Sequence, residues 1–318
     1  RNQTTMAVES TRWAVLYCPK RGLLDNSKKR WQRIEKALVK NNIAFDKVQS
    51  ESQGSVERLV KMLINNGYKT ILIIGGDSAL NDAANCLMQV DKQVRDEITL
   101  GIIPNGIMND FAHFWGIEDG DIEKNVCLLR EHRTKKIDLG CIRYKNKHGE
   151  NCHRYFLNCV NVGFIAAIMN LRRKTRHVFG SRTLSFLFSF LLLIFQRLDY
   201  AMKIKINSDS IQRRLMTVCV GNALGYGQTP NAVPYNGLLD ASLVYHTEIS
   251  QLFEGLYLFI RGKFLNHRSV HPYRTKEIVF ESIDHAMIGI DGRLMAVAPN
   301  KPFKITVEQE VLNFLIPS

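Results

Sequence analysis

The first part of the chain alternates between two spacings of apolar residues. Short apolar runs without a polar break, such as residues 71–74, indicate strands that are buried on both faces, as in a parallel sheet. Between these runs apolar residues recur every three or four positions, which indicates helices with one apolar face. The pattern predicts strands at 13–17, 45–48, 71–74 and from 100 onward, and helices at 26–42, 55–66, 79–88 and 122–130. Asn26 is suited to cap the first helix. Repeated strand–helix units imply a parallel sheet covered on both faces.

The spacing of apolar residues changes from about residue 136, where alternating apolar and polar residues replace the strand–helix units. Such alternation is typical of antiparallel strands with one buried face. The pattern predicts strands at 154–162, 201–206, 213–220, 239–246, 276–281 and 286–290, and helices at 165–173, 183–197 and 250–261. A second, mostly antiparallel β-sandwich domain with inserted helices is therefore expected.

A glycine turn follows the buried run at 71–74 and leads directly into a helix. Gly75 and Gly76 allow a sharp turn and bring bare backbone close to a ligand. The N–H groups and the dipole at a helix N-terminus favour an anion there. Asp77 would repel a bare phosphate, so we expect a cation or an acceptor hydroxyl beside it.

A second strand–turn–helix pattern begins at Leu100 and ends with Asn109 and Asp110. Open α/β sheets bind ligands at the carboxyl ends of their strands, so we expect both turns to face one cleft. The ordered pair resembles the diacylglycerol kinase catalytic-domain family, which includes sphingosine kinases and bacterial soluble lipid kinases. That family has Gly-Gly-Asp-Gly-Thr-Leu-Asn-Glu in the first turn, aligned with 75–82, and Pro-Leu-Gly-Thr-Gly-Asn-Asp-Phe-Ala in the second, aligned with 104–112.

The resemblance extends over nearly the whole chain, through segments at 17–22, 138–140, 156–166, 222–240, 291–293 and 311–317. It implies a Rossmann-like α/β nucleotide-binding domain at 1–136, to which residues 303–318 return, and a β-sandwich lipid domain at 137–302. The active site would lie in the cleft between them. The activity implied is an ATP- and Mg²⁺-dependent kinase that phosphorylates a hydroxyl of a membrane lipid, such as diacylglycerol or a sphingoid base.

By this resemblance, one group of residues would bind the nucleotide: Gly75, Gly76, Ser78, Asn81, Asn109 and Asp110. The glycines would approach the phosphates of ATP, and the asparagines would orient nucleotide or acceptor. The simpler alternative is that the glycines only close a turn and that Asn109 and Asp110 cap a helix.

Three residues are implied in catalysis: Asp77, Asp291 and Arg293. Asp77 would hold Mg²⁺ or polarise the acceptor hydroxyl, unless it only caps its own helix; as a turn carboxylate it is expected to matter little for stability. Arg293 replaces a family Glu, so it is either a lost carboxylate or a cation for the γ-phosphate or a lipid headgroup. Asp240 would belong to a structural cation site, which Asn236, in place of Asp, weakens.

Other departures fall in the two turns. Ser78 and Ala79 replace Gly and Thr in the first, whereas Asn105, Ile107 and Met108 replace Leu, Thr and Gly in the second. Two hydroxyls that would meet phosphate are therefore missing, and Ser78 is a possible substitute. Three hypotheses stay open: a lipid kinase, a non-catalytic protein of the same fold that holds lipid or nucleotide, and an enzyme with a different phosphoryl donor or acceptor.

Charge and cysteine content indicate which kinds of partner and which compartment suit this 318-residue chain. A net charge of +13 indicates an anionic partner. No basic motif interleaved with aromatic residues is present, so nucleotide and anionic lipid fit better than nucleic acid. Seven scattered cysteines favour free thiols in a reducing cytosol. We expect a cytoplasmic protein and leave open peripheral attachment to the inner membrane surface and a homodimer.

The most apolar stretch, at 183–195, follows a basic cluster at 172–182. It is too short to span a bilayer, which needs roughly 20 apolar residues. One interpretation is a core helix. The other is the wall of an acyl-chain pocket or a helix that faces a membrane, because a basic segment beside an apolar one suits an interface.

Overall fold

The computed structural model describes residues 11–20, 26–175 and 199–318, together with positions 187, 189 and 191. Contacts divide the chain into two compact units. The first runs to Ile137 and also contains Glu310–Ser318, and the second is Asp138–Gln309. Most of the predicted helix at 183–197 and most of the basic cluster that precedes it lie outside the described residues.

The first unit contains a parallel sheet, as its unbroken apolar runs predict. Its strands are β1 (Trp13–Tyr17), β2 (Phe45–Gln49), β3 (Thr70–Gly75) and β4 (Thr99–Pro104), in the order β4-β3-β1-β2. All three pairings are parallel, and β3 and β4 stay in register to their last pair, Gly75 and Pro104. The end of strand β15 (Phe303–Ile316) extends this sheet, because Asn313 and Phe314 pair in parallel with β4.

Helices follow the strands of this unit: α1 (Ser27–Lys40), α2 (Val56–Asn65), α3 (Asp77–Met88), α4 (Lys92–Arg95), α5 (Asp110–Phe114) and α6 (Ile122–Leu129). Helix α1 buries Trp31, Ile34 and Leu38, the residues whose spacing predicts its apolar face. Asn26 occupies the N-cap position, but its side chain makes no capping hydrogen bond, so that part of the prediction is wrong.

The second unit is built from antiparallel strands, which confirms the fold class predicted from alternation. They are β5 (Arg133–Lys145), β6 (Asn151–Phe156), β7 (Cys159–Gly163), β8 (Tyr200–Ile206), β9 (Asp209–Gly221), β10 (Leu239–Tyr245), β11 (Val270–Thr275), β12 (Glu277–Ser282), β13 (Ile288–Ile290), β14 (Arg293–Met295) and the first part of β15. Their order is β14-β13-β7-β9-β8-β12-β15, with β10 on β9, β11 on β10 and β6 on β5.

Two apolar clusters hold this unit together. The larger lies between strands and includes the stacked rings of Phe280 and Phe303, whose centroids are 4.6 Å apart. The smaller lies beneath helices α7 (Phe164–Thr175) and α8 (Ile249–Ile260), where Phe164 and Leu252 are both buried. The two helices therefore cover a core of their own.

The single strand predicted at 154–162 is in fact two strands. Leu157 and Asn158 lie between the two strands, and their backbone N–H groups, together with that of Cys159 at the start of β7, donate to the carboxylate of Asp291 at 2.9–3.0 Å. The structure also has a strand, β11, at Val270–Thr275, where the sequence pattern predicts none, and this strand contains Pro272. A proline is tolerated there since β11 pairs with β10 alone among the described strands, as an edge strand does.

Candidate active site

The two glycine turns of the first unit lie side by side, as predicted. They follow the paired ends of β3 and β4. The N–H of Asn105 donates to the carbonyl of Gly75 at 2.8 Å, and the N–H of Asp77 donates to the carbonyl of Met108 at 2.9 Å. The turns are therefore one hydrogen-bonded unit, which we call the loop pair (residues 75–78 and 104–110).

Asp77 links the two halves of the loop pair through its side chain. It is the first residue of α3 and is 4% exposed. Its carboxylate accepts hydrogen bonds from the N–H of Asp110 at 3.1 Å and of Phe111 at 3.2 Å, the first two residues of α5. Asp77 thus caps the helix of the second turn instead of its own. The expectation that it is a turn carboxylate of little structural weight is wrong, because the side chain is buried and holds two donors.

Asn109 shapes the second turn from within. Its side-chain oxygen accepts from the N–H of Gly106 at 3.0 Å, and its amide donates to the Gly106 carbonyl at 2.9 Å and to Asp119 at 3.0 Å. His113 contacts the same oxygen of Asp119 at 3.2 Å. Asn81 lies one turn into α3, fully buried, with its carbonyl and side chain both bonded to Asn85. Ser78 is half-buried at the start of α3.

Sequence reasoning missed the role of Asn105, which it treated only as a departure from the family pattern. The side chain is buried, accepts from Nη1 of Arg30 at 2.6 Å and donates to the carbonyl of Cys18 at 2.8 Å. It therefore holds the first turn of α1 and the end of β1 against the loop pair. The pairing of Asn105 with Arg30, far apart in the chain, has no local signal in the sequence.

Because Asn105 binds Arg30, the basic first turn of α1 lies beside the loop pair. The first turn of α1 contains no acidic residue and carries Lys28, Lys29 and Arg30, at the end of the helix where the dipole is also positive. Desolvation lowers the pKa of the Lys20 amine, Arg30 lowers it further, and Asp119 opposes both. Like charges held together in this way favour an anionic ligand.

The thiol of Cys18 borders the first turn but carries no charge. A Cβ added to Gly75 would lie 3.2 Å from its Cβ. Burial raises the pKa of this thiol to about 12, and the charge of Asp82 contributes to the increase. Cys18 therefore stays protonated at neutral pH and is not a nucleophile. All seven cysteines are free thiols.

The remaining candidate residues belong to the second unit. Asp291 is 2% exposed at a left-handed φ of 44°, and its carboxylate holds the three N–H groups of 157–159. Arg293 begins the short strand β14 and pairs with Ile290 of β13. Asp240 forms an ion pair with Arg274, Nε to Oδ1 at 3.0 Å. Within the described parts of the chain, no three His, Cys, Asp or Glu side chains cluster as metal ligands would.

The structure therefore brings together Gly75, Gly76, Asp77, Ser78, Asn109 and Asp110 in the first unit and places Asp240, Asp291 and Arg293 in the second. The roles of all these residues, and a cleft that would unite the two groups, stay predictions. None of the helices described is both long and apolar enough to cross a membrane.

Comparison with known proteins adds independent support. Residues 12–142 match the family model of the diacylglycerol kinase catalytic domain, and residues 158–316 match that of the YegS C-terminal NAD kinase beta sandwich-like domain. The chain is 24% identical to "Putative lipid kinase YtlR" of Bacillus subtilis (strain 168) over 86% of this chain and 91% of that one. It is 22% identical to "Diacylglycerol kinase" of Staphylococcus carnosus (strain TM300), over 73% and 72% respectively.

A solved structure of a diacylglycerol kinase from Bacillus anthracis str. Sterne has the same fold. The TM-score is 0.66 at 17% identity, and the match covers 96% of this chain and 97% of that one. The two family models follow one another along the chain and together take in both structural units. The chain thus belongs to the diacylglycerol kinase catalytic-domain family of lipid kinases.

Proposed function

We propose that this protein transfers the γ-phosphoryl group of ATP to a hydroxyl of a membrane lipid, diacylglycerol or a sphingoid base. One observation carries the proposal: the buried Asp77 carboxylate, with one backbone hydrogen bond from Asn105 and one from Asp77, joins two glycine turns into one unit at the N-terminus of α3. Family membership supports the reaction class, and the names of the relatives support a lipid as acceptor.

The loop pair suits the phosphates of a nucleotide. Helix α3 has 12 residues, so its N-terminus presents a full helix dipole to an anion. Arg30, anchored by Asn105, and Lys20 add positive charge on the same side. We propose that these two cations offset the hydroxyls that are missing at Ala79 and Ile107.

The donor set also fits Mg²⁺ that arrives with a nucleotide. Mg²⁺ is usually held by one or two carboxylates together with substrate phosphates and water, and the loop pair contains Asp77 and Asp110. When bound, this ion neutralises charge on the phosphates. Asp240 is a weaker candidate for a cation site, because a cation there would have to displace Arg274.

The protein's own contribution is positioning and charge, since phosphoryl transfer needs little covalent chemistry from side chains. Asp77 fixes α5 and with it Asn109 and Asp110, which orient nucleotide and acceptor. Asp291 already holds three N–H groups, so we propose that it orients residues 157–159 and does not take a proton. Arg293 would act as a cation toward the γ-phosphate or a headgroup.

A direct assay tests the proposal. The purified chain is incubated with γ-labelled ATP, Mg²⁺ and detergent micelles that contain diacylglycerol or a sphingoid base, and the lipid is then extracted. We expect label in the lipid phase, strongly reduced in Asp77→Asn and unchanged in Glu123→Gln, an exposed carboxylate of α6. Nucleotide binding without labelled lipid would favour the non-catalytic alternative, whereas label from another donor would favour the altered enzyme.

A further inference from the structure

Helix α8 of the second unit has an exposed apolar face in addition to its buried one. Ile249, Phe253, Tyr257 and Ile260 are each 50–61% exposed. At about 100° per residue they fall within a stripe about 80° wide along the whole helix. A third of the large exposed apolar side chains in the described parts of the chain therefore lie on this one helix of 12 residues.

The core of this unit does not require that stripe. The buried side of α8 is supplied by Leu252, with Leu256 and Phe259 packed against the small apolar cluster. A soluble protein rarely keeps a continuous apolar strip in water unless the strip binds something. The outer face therefore needs an explanation of its own.

Charge at the end of the helix indicates what the stripe binds. Glu254 is the only charged residue within α8, and it is matched by Arg268, Nη2 to Oε2 at 3.7 Å. Arg261 and Lys263 follow the helix directly, both exposed, and no described carboxylate forms an ion pair with either of them. The Arg261 guanidinium lies 5.4 Å from the ring centroid of Tyr257, so cation and aromatic side chain meet where the stripe ends.

An apolar stripe with cations at one end suits the surface of an anionic bilayer on which the helix lies flat. The apolar side chains enter the acyl boundary, while the long basic side chains beside them extend to lipid phosphate. A protein partner would not need cations beside the stripe, and the net charge of +13 favours a negatively charged surface.

We infer that α8 is a membrane-docking helix, which lies in the plane of an anionic bilayer with Ile249, Phe253, Tyr257 and Ile260 inserted. The inference rests on the proposed function in one respect, since a lipid kinase must reach a substrate that stays in the membrane. Docking would then bring the second unit to the surface from which its substrate comes.

Vesicle binding tests this without any kinase activity. The full chain is sedimented with vesicles of phosphatidylcholine alone, or of equal amounts of phosphatidylcholine and phosphatidylglycerol, with neither ATP nor substrate lipid present. We expect binding to the anionic vesicles that falls at least about tenfold in the double variant Phe253→Glu/Ile260→Glu, because two inserted side chains become charged. Arg261→Ala/Lys263→Ala should lose the preference for anionic lipid.

Val39→Glu is the matched control, because Val39 is 63% exposed on a helix of the first unit. It should bind vesicles like the unchanged chain, and all variants should keep the melting temperature. Equal binding by Phe253→Glu/Ile260→Glu and the unchanged chain would overturn the inference. A second result would also overturn it: the unchanged chain forms a dimer, and this variant is a monomer that still binds vesicles. The stripe would then join two copies of the chain. Phosphorylation of a short-chain, soluble diacylglycerol separates the two proposals: it fails only if the proposed function fails.

Discussion

Gly76 and Gly106 approach each other so closely that neither position has room for a side chain. A Cβ built on Gly106 would lie 2.3 Å from Cα and 2.7 Å from N of Gly76, and one built on Gly76 would lie 2.9 Å from Cα of Gly106. These neighbours are backbone atoms that cannot rotate away. The glycines are thus required by the contact of the two turns with each other, in addition to any need of a ligand.

Gly106→Ala should separate the two turns. We expect a loss of about 1–3 kcal/mol in the free energy of unfolding, as for other overpacked sites, and at least a tenfold loss of kinase turnover. Urea denaturation and the lipid-labelling assay measure the two effects. Gly54→Ala is the control, because a Cβ there meets nothing within 4 Å. Wild-type stability and turnover in Gly106→Ala would show that the turns are less constrained than their contact implies.

Removal of the Asp77 carboxylate should cost both stability and activity. Asp77→Ala loses two hydrogen bonds from a buried charged acceptor to the start of α5, so we expect about 2–4 kcal/mol of destabilisation. Asp77→Asn keeps one acceptor oxygen and should lose less. Asp121→Ala removes the exposed cap of α6, which accepts from the N–H of Lys124, and should cost only about 1 kcal/mol with activity kept. Unchanged turnover in Asp77→Ala would exclude Asp77 from catalysis and from positioning.

Arg30 should contribute to nucleotide affinity. We expect Arg30→Ala to weaken ATP binding about tenfold, measured by calorimetry at low salt, with a smaller difference at high salt because charge is screened. Asn105→Leu, which restores the family residue but releases Arg30, should weaken binding in the same direction. Lys29→Ala, an exposed neighbour in the same helical turn, is the control. Equal losses for Lys29→Ala and Arg30→Ala would indicate a general effect of charge.

The missing hydroxyls should limit ATP affinity. We expect a Kd no better than the high micromolar range for the unchanged chain. Ala79→Thr with Ile107→Thr should tighten binding by about 5- to 150-fold, since each neutral hydrogen bond contributes about 0.5–1.5 kcal/mol. Ile107 is 40% exposed at its turn, so this change does not open a core. A Kd below about 1 μM for the unchanged chain would show that the hydroxyls missing at Ala79 and Ile107 are not needed for ATP affinity.

His132 should make the stability of the first unit depend on pH. Burial lowers the pKa of His132, whose Nε2 lies 2.8 Å from Oγ1 of Thr70. The unfolded chain, with a His pKa near 6.5, therefore takes up the proton first as pH falls. The stabilising contribution is present above about pH 6.5 and is lost as pH falls through the lower pKa of the folded state.

His132→Asn tests this, because Asn tolerates the left-handed φ of 52° found there. Its melting temperature should fall less than that of the unchanged chain between about pH 7 and pH 5. His285→Asn is the matched control, because it makes the same replacement at an exposed position with φ of 59°. Identical slopes for His132→Asn and the unchanged chain would contradict the assignment.

Local sequence predicted the strands of the first unit and the contact of its two turns, because each depends on a short apolar run followed by glycine. It predicted less where distant residues decide the structure. The break between β6 and β7 depends on Asp291, more than 100 positions away. Arg30 and Asn105, and Asp77 with the start of α5, meet only after the sheet has formed. The hydrogen-bond partners of these side chains could not be predicted for the same reason, whereas their roles in catalysis stay predictions.

Strand β15 has a consequence for the order in which the protein is made. The first unit is completed by residues that follow the second unit along the chain: Asn313 pairs with β4 and its amide donates to the carbonyl of Asp96 at 2.8 Å, while Arg95 donates to the carbonyl of Val311 at 3.0 Å. Until residues 311–316 have been synthesised, one side of β4 presents unpaired backbone groups to its surroundings, as any sheet edge does. The sheet of residues 13–104 must therefore stay incomplete while the whole second unit is translated. Loss of residues 311–316 would leave this sheet permanently with that exposed, aggregation-prone edge.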